Sequence, residues 1–143
     1  MDSRTDIQKI ALQKLKDAEL LYDNGSYDNA FYMAGYCVEL AFKARICKNI
    51  SIDYLFAPNS KHLRLFKTHD FDVLIVFSGL TGKLEEIKAL NIDFYNNWEY
   101  ICAWKEDCRY GVSGSKTQIQ ALELLNAIRH PTNGFLKWIE QYW

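Results

Sequence analysis

Between Tyr27 and Lys48 the chain specifies a helix with almost no face to offer to water. Ala30, Ala34, Cys37, Ala41 and Ala44 recur at alternating four- and three-residue steps. They make a seam of small side chains that lets a neighbouring helix come close. Phe31, Met33, Val38, Leu40, Phe42 and Ile46 cover much of the remaining circumference, leaving a thin line of Asp28, Tyr32, Gly35, Glu39 and Lys43. A helix apolar nearly all round belongs in the middle of a bundle, with other helices packed on several sides. Glu39 precedes Lys43 by four residues, the order and spacing that favour an ion pair along a helix.

The flanking segments supply those neighbours. Ile7, Ala11, Leu15, Ala18 and Tyr22, widened by Ile10 and Leu21, mark an amphipathic helix over 4–24, with Lys9, Gln13 and Lys16 on its wet side. Asn24-Gly25 ends it, and Ser26 is placed to cap the next helix. The two helices therefore form an antiparallel hairpin. After an irregular stretch over 49–68 with the turn cluster Pro58-Asn59-Ser60, a third helix is expected from His69 to about Leu80. Thr68 is expected to cap it, Asp70 and Asp72 suit its dipole, and Gly79 and Gly82 bracket its end. A short amphipathic piece over 83–90 and a fourth helix over 93–109 follow, the latter facing inward through Phe94, Trp98 and Ile101. Gly111-Val112-Ser113-Gly114 breaks the chain, and Ser115 with Gln118 has capping-box spacing. Ala121, Leu125, Ile128, Thr132, Phe135, Ile139 and Tyr142 stay in phase across Pro131, which predicts one long C-terminal helix kinked at the proline. The expectation is a single all-α domain over 1–143, an up-and-down bundle of about five helices.

Charge and composition narrow the function classes. With 17 basic and 18 acidic residues the net charge is −1, so no bulk field draws the chain to nucleic acid or an anionic membrane, and such binding must come from a local cluster. No apolar run is long enough to cross a bilayer, and the start Met-Asp-Ser-Arg-Thr-Asp lacks the apolar stretch of a secretory signal. A cytoplasmic protein is expected. Cys37, Cys47, Cys102 and Cys108 form no Cys-x-x-Cys pair, which reads as thiols in a reducing compartment. The four Trp, nine Tyr and eight Phe suit a core or a self-association surface equally.

The densest basic run is Lys61, His62, Arg64, Lys67 and His69, a candidate phosphate or RNA contact or simply a solvated loop. Arg64 and His69 stand five apart; a histidine can move a proton and an arginine can stabilise phosphoryl charge, so the pair could cleave RNA without a metal. Cys102 and Cys108 lack zinc-ligand spacing, Cys108 beside Arg109 is a weak nucleophile candidate, and Gly111-x-x-Gly114 lacks the Lys-Ser/Thr of a P-loop. No metal or cofactor is expected. Trp98, Trp104, Trp138 and Trp143, which could stack on bases, read as core or dimer contacts.

Three stretches resemble a HEPN domain: Lys16-Asp17-Ala18-Glu19-Leu20-Leu21 with Gly25-Ser26-Tyr27-Asp28-Asn29-Ala30; Ala34 through Ala44 with Glu39 and Lys43; and Lys67-Thr68-His69-Asp70-Phe71, followed by Trp104 and Arg109-Tyr110. The resemblance implies an up-and-down bundle, a homodimer, and nucleotide or RNA binding in a defence or toxin–antitoxin context, often beside a nucleotidyltransferase-type partner. Catalytic members carry Arg-x4–6-His near a late helix. Here Gly114, Ser115 and Lys116 stand where that histidine would follow Arg109, and Arg64-x4-His69 precedes the third helix instead. The resemblance therefore implies a non-catalytic binding module using Lys61, Arg64, Lys67, His69, Arg109 and Tyr110. Two alternatives stay open: a metal-independent endoribonuclease using Arg64 and His69, or Arg109, and a purely structural interaction adaptor.

Overall fold

A computed structural model describes residues 3–51 and 67–143, and among them the regular structure is entirely helical. The hairpin is as expected. Helix α1 (Arg4–Asp23) starts in a reciprocal capping box between Ser3 and Asp6 and buries Ile7, Ala11, Leu15 and Ala18. Gly25, at φ 79°, makes the left-handed step that ends it. Helix α2 (Tyr27–Asn49) begins after Ser26, whose hydroxyl accepts from the Asn29 amide rather than capping the backbone. It packs against α1 and against the later segments Phe71–Ser78, Glu106–Tyr110, Gln118–Arg129 and Phe135–Ile139, and buries Glu39 and Lys43 along with its apolar residues.

Helix α3 (Phe71–Ser78) is capped by Asp70, which accepts from the Asp72 N–H; Thr68 supports that cap by accepting from the Asp70 N–H. Gly79 ends α3 at φ 71° as expected, whereas Gly82 falls inside α4 (Thr81–Leu90). Arg45 of α2 donates to the Ser78 carbonyl at the end of α3 (3.1 Å) and to the Tyr142 carbonyl near the C-terminus (3.0 Å).

Three boundaries differ from the sequence expectation. The helix expected over 93–109 is α5 (Ile92–Cys102), and the chain then turns into a short 3-10 segment over Glu106–Tyr110. Trp104 causes the break: its indole is pulled out of the helical line to stack on Phe71 (centroids 5.1 Å apart) and to donate to the Tyr32 carbonyl. The capping box before α6 (Gln118–Arg129) is built by Thr117 and Gln120, two residues later than expected. Pro131 ends this helix rather than kinking it. His130 takes an extended ψ of 128°, as a residue before proline prefers, and its Nδ1 accepts from the N–H groups of Thr132 and Asn133. A separate short helix, α7 (Phe135–Ile139), then packs back on the core.

The core is one cluster centred on α2. Phe42 meets Phe71, Trp98 and Phe135 at centroid distances of 6.3, 6.2 and 5.3 Å, in the tilted and edge-on geometries that aromatic quadrupoles favour. Trp98, Trp104 and Trp138 are buried, so three of the four tryptophans are packing residues.

Candidate functional site: a histidine on a buried carboxylate

Glu39 lies mid-way along α2 with its side chain 1% exposed. A carboxylate cannot be taken out of water without partners. Among the described residues it has two: Lys43, itself nearly buried, contacts Oε1 at 2.6 Å, and His69 contacts Oε2 through Nδ1 at 2.9 Å. Because an ionised carboxylate only accepts, Nδ1 carries the histidine proton. The imidazole is thereby fixed, and in the neutral ring Nε2 holds the free lone pair. His69 stands 40% exposed at the entrance to α3, so a buried charge reaches the surface through one ring.

Its Nε2 lies 3.8 Å from Oε1 of Glu106, on the 3-10 segment. The same oxygen is 2.6 Å from Nη2 of Arg109. Arg109 also donates from Nη2 to the Tyr110 hydroxyl (2.6 Å), and its guanidinium lies 4.7 Å from the centre of that ring. A hydrogen bond with Tyr32, then the Tyr110 hydroxyl and Glu106, push the arginine further above its ordinary range, so its charge is permanent. Tyr36, half-buried one helical turn before Glu39, is pushed up by burial first and by the nearby carboxylate second. A cavity of about 280 Å³ opens beside His69, Trp104 and Glu106. A second cleft, about 200 Å³, lies against Arg109 and is lined by Asp28, Asn29 and Tyr32.

Beyond the 3-10 segment Asp28 fixes the Gly111–Lys116 loop. Its carboxylate accepts from the N–H groups of Gly114 and Lys116, both at 2.6 Å, and these bonds hold it below the usual carboxylate range. The loop that follows Arg109 and Tyr110 is thus tied to the first turn of α2.

Of the residues singled out from sequence, His69 and Arg109 come together on Glu106, and Tyr110 lies against Arg109. Lys67 is exposed two residues before His69. Lys61 and Arg64 lie outside the described residues, and with them the Arg64–His69 pair. Glu39, Lys43 and Glu106 were not among the candidates. Cys108 makes a poor nucleophile, because burial pushes its thiol up to about 11. Among the described residues no group of His, Cys, Asp and Glu is arranged to hold a metal ion, and no helix is long and apolar enough to cross a membrane.

The family model for the HEPN domain matches residues 6–139, nearly the whole chain. The chain belongs to the HEPN domain family. No curated protein and no solved structure matches it. HEPN domains are generally associated with RNase or nucleotide-binding roles. The His69–Glu106–Arg109 edge therefore lies on a HEPN bundle, its histidine held by the central helix and its arginine by the segment preceding α6.

Proposed function

We propose that this HEPN domain binds the phosphate of a nucleotide or RNA where His69 and Arg109 converge, with Tyr110 beside them. One observation carries the proposal: two phosphate-compatible side chains, forty residues apart in sequence, meet on a single carboxylate oxygen, and one is oriented from beneath by a buried glutamate. Arginine offers a planar fork to phosphate oxygens, and a doubly protonated histidine adds a charged donor. Lys67 adds positive charge on the approach. A fluorescein-labelled single-stranded RNA and labelled AMP, titrated at low salt and read by anisotropy, test it. Binding should weaken as salt rises and should fall about tenfold or more in Arg109→Ala. Absence of binding to either probe at low salt refutes the proposal and leaves the structural adaptor.

The Glu39–His69 contact favours a second reading, the metal-independent endoribonuclease. A carboxylate that fixes Nδ1–H and leaves Nε2 as a proton acceptor is the arrangement a general base needs. In this reading Arg109 takes the charge-stabilising part first given to Arg64. RNA incubated with the protein in chelator should be cut, and cleavage unchanged in His69→Ala would end the assignment. A homodimer and a nucleotidyltransferase-type partner in a defence or toxin–antitoxin setting complete the proposal; sedimentation and co-purification from the native host test them.

A further inference from the structure

Glu106 is an odd residue to find at a phosphate site. Its Oε1 is shielded from solvent, yet among the described residues it accepts no hydrogen bond of good geometry. The 2.6 Å contact to Arg109 lies off the hydrogen-bonding direction, whereas Nη2 donates with good geometry to the Tyr110 hydroxyl. The contact to His69 Nε2, at 3.8 Å, is too long for a hydrogen bond. A shielded acceptor without a donor is unfavourable, so charge alone keeps Glu106 in place. Its carboxylate nevertheless sits between the two groups that a phosphate would seek, at a distance from each that a phosphate oxygen could occupy.

We infer that Glu106 occupies the anion seat of this site and sets its affinity, standing in for the phosphate that displaces it. This rests on the reading of the His69–Arg109 edge as a phosphate site. The geometry explains what a ligand gains by the exchange. A phosphate brings two non-bridging oxygens in RNA, or three in AMP, where Glu106 brings one misaligned oxygen, so Arg109 and protonated His69 Nε2 acquire aligned acceptors. Displacement also lets Oε1 reach water. It further explains selectivity: an anion with one usable oxygen gains too little alignment to displace the carboxylate, while a phosphate ester gains more. Asp70 and Asp107 line the same cavity, opposed by Lys105, and reinforce the bias against anions that cannot use Arg109.

The test is the anisotropy titration of labelled RNA and labelled AMP on the full chain, comparing wild type, Glu106→Gln, Arg109→Ala and the double variant. Glutamine keeps the shape and removes the charge. Glu106→Gln should bind about fivefold more tightly than wild type, the scale of one released ion pair, and the gain should vanish when Arg109→Ala is added. Wild-type binding that Glu106→Gln leaves equal or weakens overturns the seat while the phosphate reading stands. Binding by none of the four proteins overturns both. Thermal melting of each variant separates loss of binding from loss of fold, and a glutamine variant that melts with wild type yet binds no more tightly counts against the seat.

Discussion

Gly35 lies in the middle of α2, where replacing glycine by alanine ordinarily stabilises a helix by about 1 kcal/mol. Here the expected sign is reversed. A Cβ on Gly35 would sit 2.1 Å from Cδ1 and 2.2 Å from Cγ of Trp104. The indole cannot swing aside at little cost. It is 1% exposed, stacks on Phe71, and donates through Nε1 to the Tyr32 carbonyl at 3.2 Å. Relief of the clash requires expelling it, and losing a buried tryptophan's packing costs about 3–5 kcal/mol. Set against the helix gain, Gly35→Ala should lose about 2–4 kcal/mol of stability. Urea unfolding followed in parallel by tryptophan fluorescence and far-ultraviolet circular dichroism measures this directly. The same variant should lose RNA or nucleotide binding out of proportion to unfolding, because Trp104 anchors the segment that carries Glu106 and Arg109. A variant as stable as wild type, or more so, would refute the argument that Trp104 is seated on the bare glycine backbone.

Two further outcomes follow from the buried and tethered charges. Lys43→Met removes one of the two partners of a carboxylate that cannot reach water, and should cost about 3–5 kcal/mol by urea denaturation; the double variant with Glu39→Gln should recover part of that loss. Asp28 is held below its ordinary value by the Gly114 and Lys116 N–H groups, so its bonds stabilise the fold above about pH 3.8 and that contribution is lost as pH falls from there through the lowered native value. Asp6, held down by Ser3, loses its contribution in the same window. Asp28→Asn should therefore flatten, without abolishing, the acid limb of a stability–pH profile measured between pH 5 and about pH 2.

The hairpin was legible because periodicity reports which residues face a core, and in α1 and α2 the core-facing residues belong to unbroken helices. The same signal misled at Pro131. Leu125 and Ile128 face the same core as Phe135 and Ile139, so they stay in phase although the backbone between them is a turn held by His130. Phase carries no information about whether hydrogen bonds continue. Trp104 misled in a similar way, since its apolar character extended an expected helix that its own packing interrupts.

At the site, His69 and Arg109 were legible singly as chemistry-bearing side chains, but their meeting through Glu106 depends on how distant segments pack. In the sequence Glu39 shows only as half of an ion pair with Lys43, because i,i+4 spacing is the same for a wet pair and a buried one. One signal pointed to it. A carboxylate flanked by Val38 and Leu40 on a helix apolar nearly all round must find partners within the bundle, and the nearest cation on its own helix leaves one carboxylate oxygen still to satisfy.

The position of α2 in the chain has a consequence for synthesis. Its hairpin with α1 is complete by Asn49, but the surfaces that cover its other sides belong to α3, the 3-10 segment, α6 and α7, ending at Ile139. At about 5–20 residues per second the ribosome takes roughly 5–20 seconds to make that span. Throughout that interval the nascent chain carries a helix whose faces are nearly all apolar and only one of which has a partner. The fold's most deeply buried helix is also its longest-lived sticky surface, so yield in a host cell should follow chaperone supply during translation more closely than it follows the stability of the finished bundle.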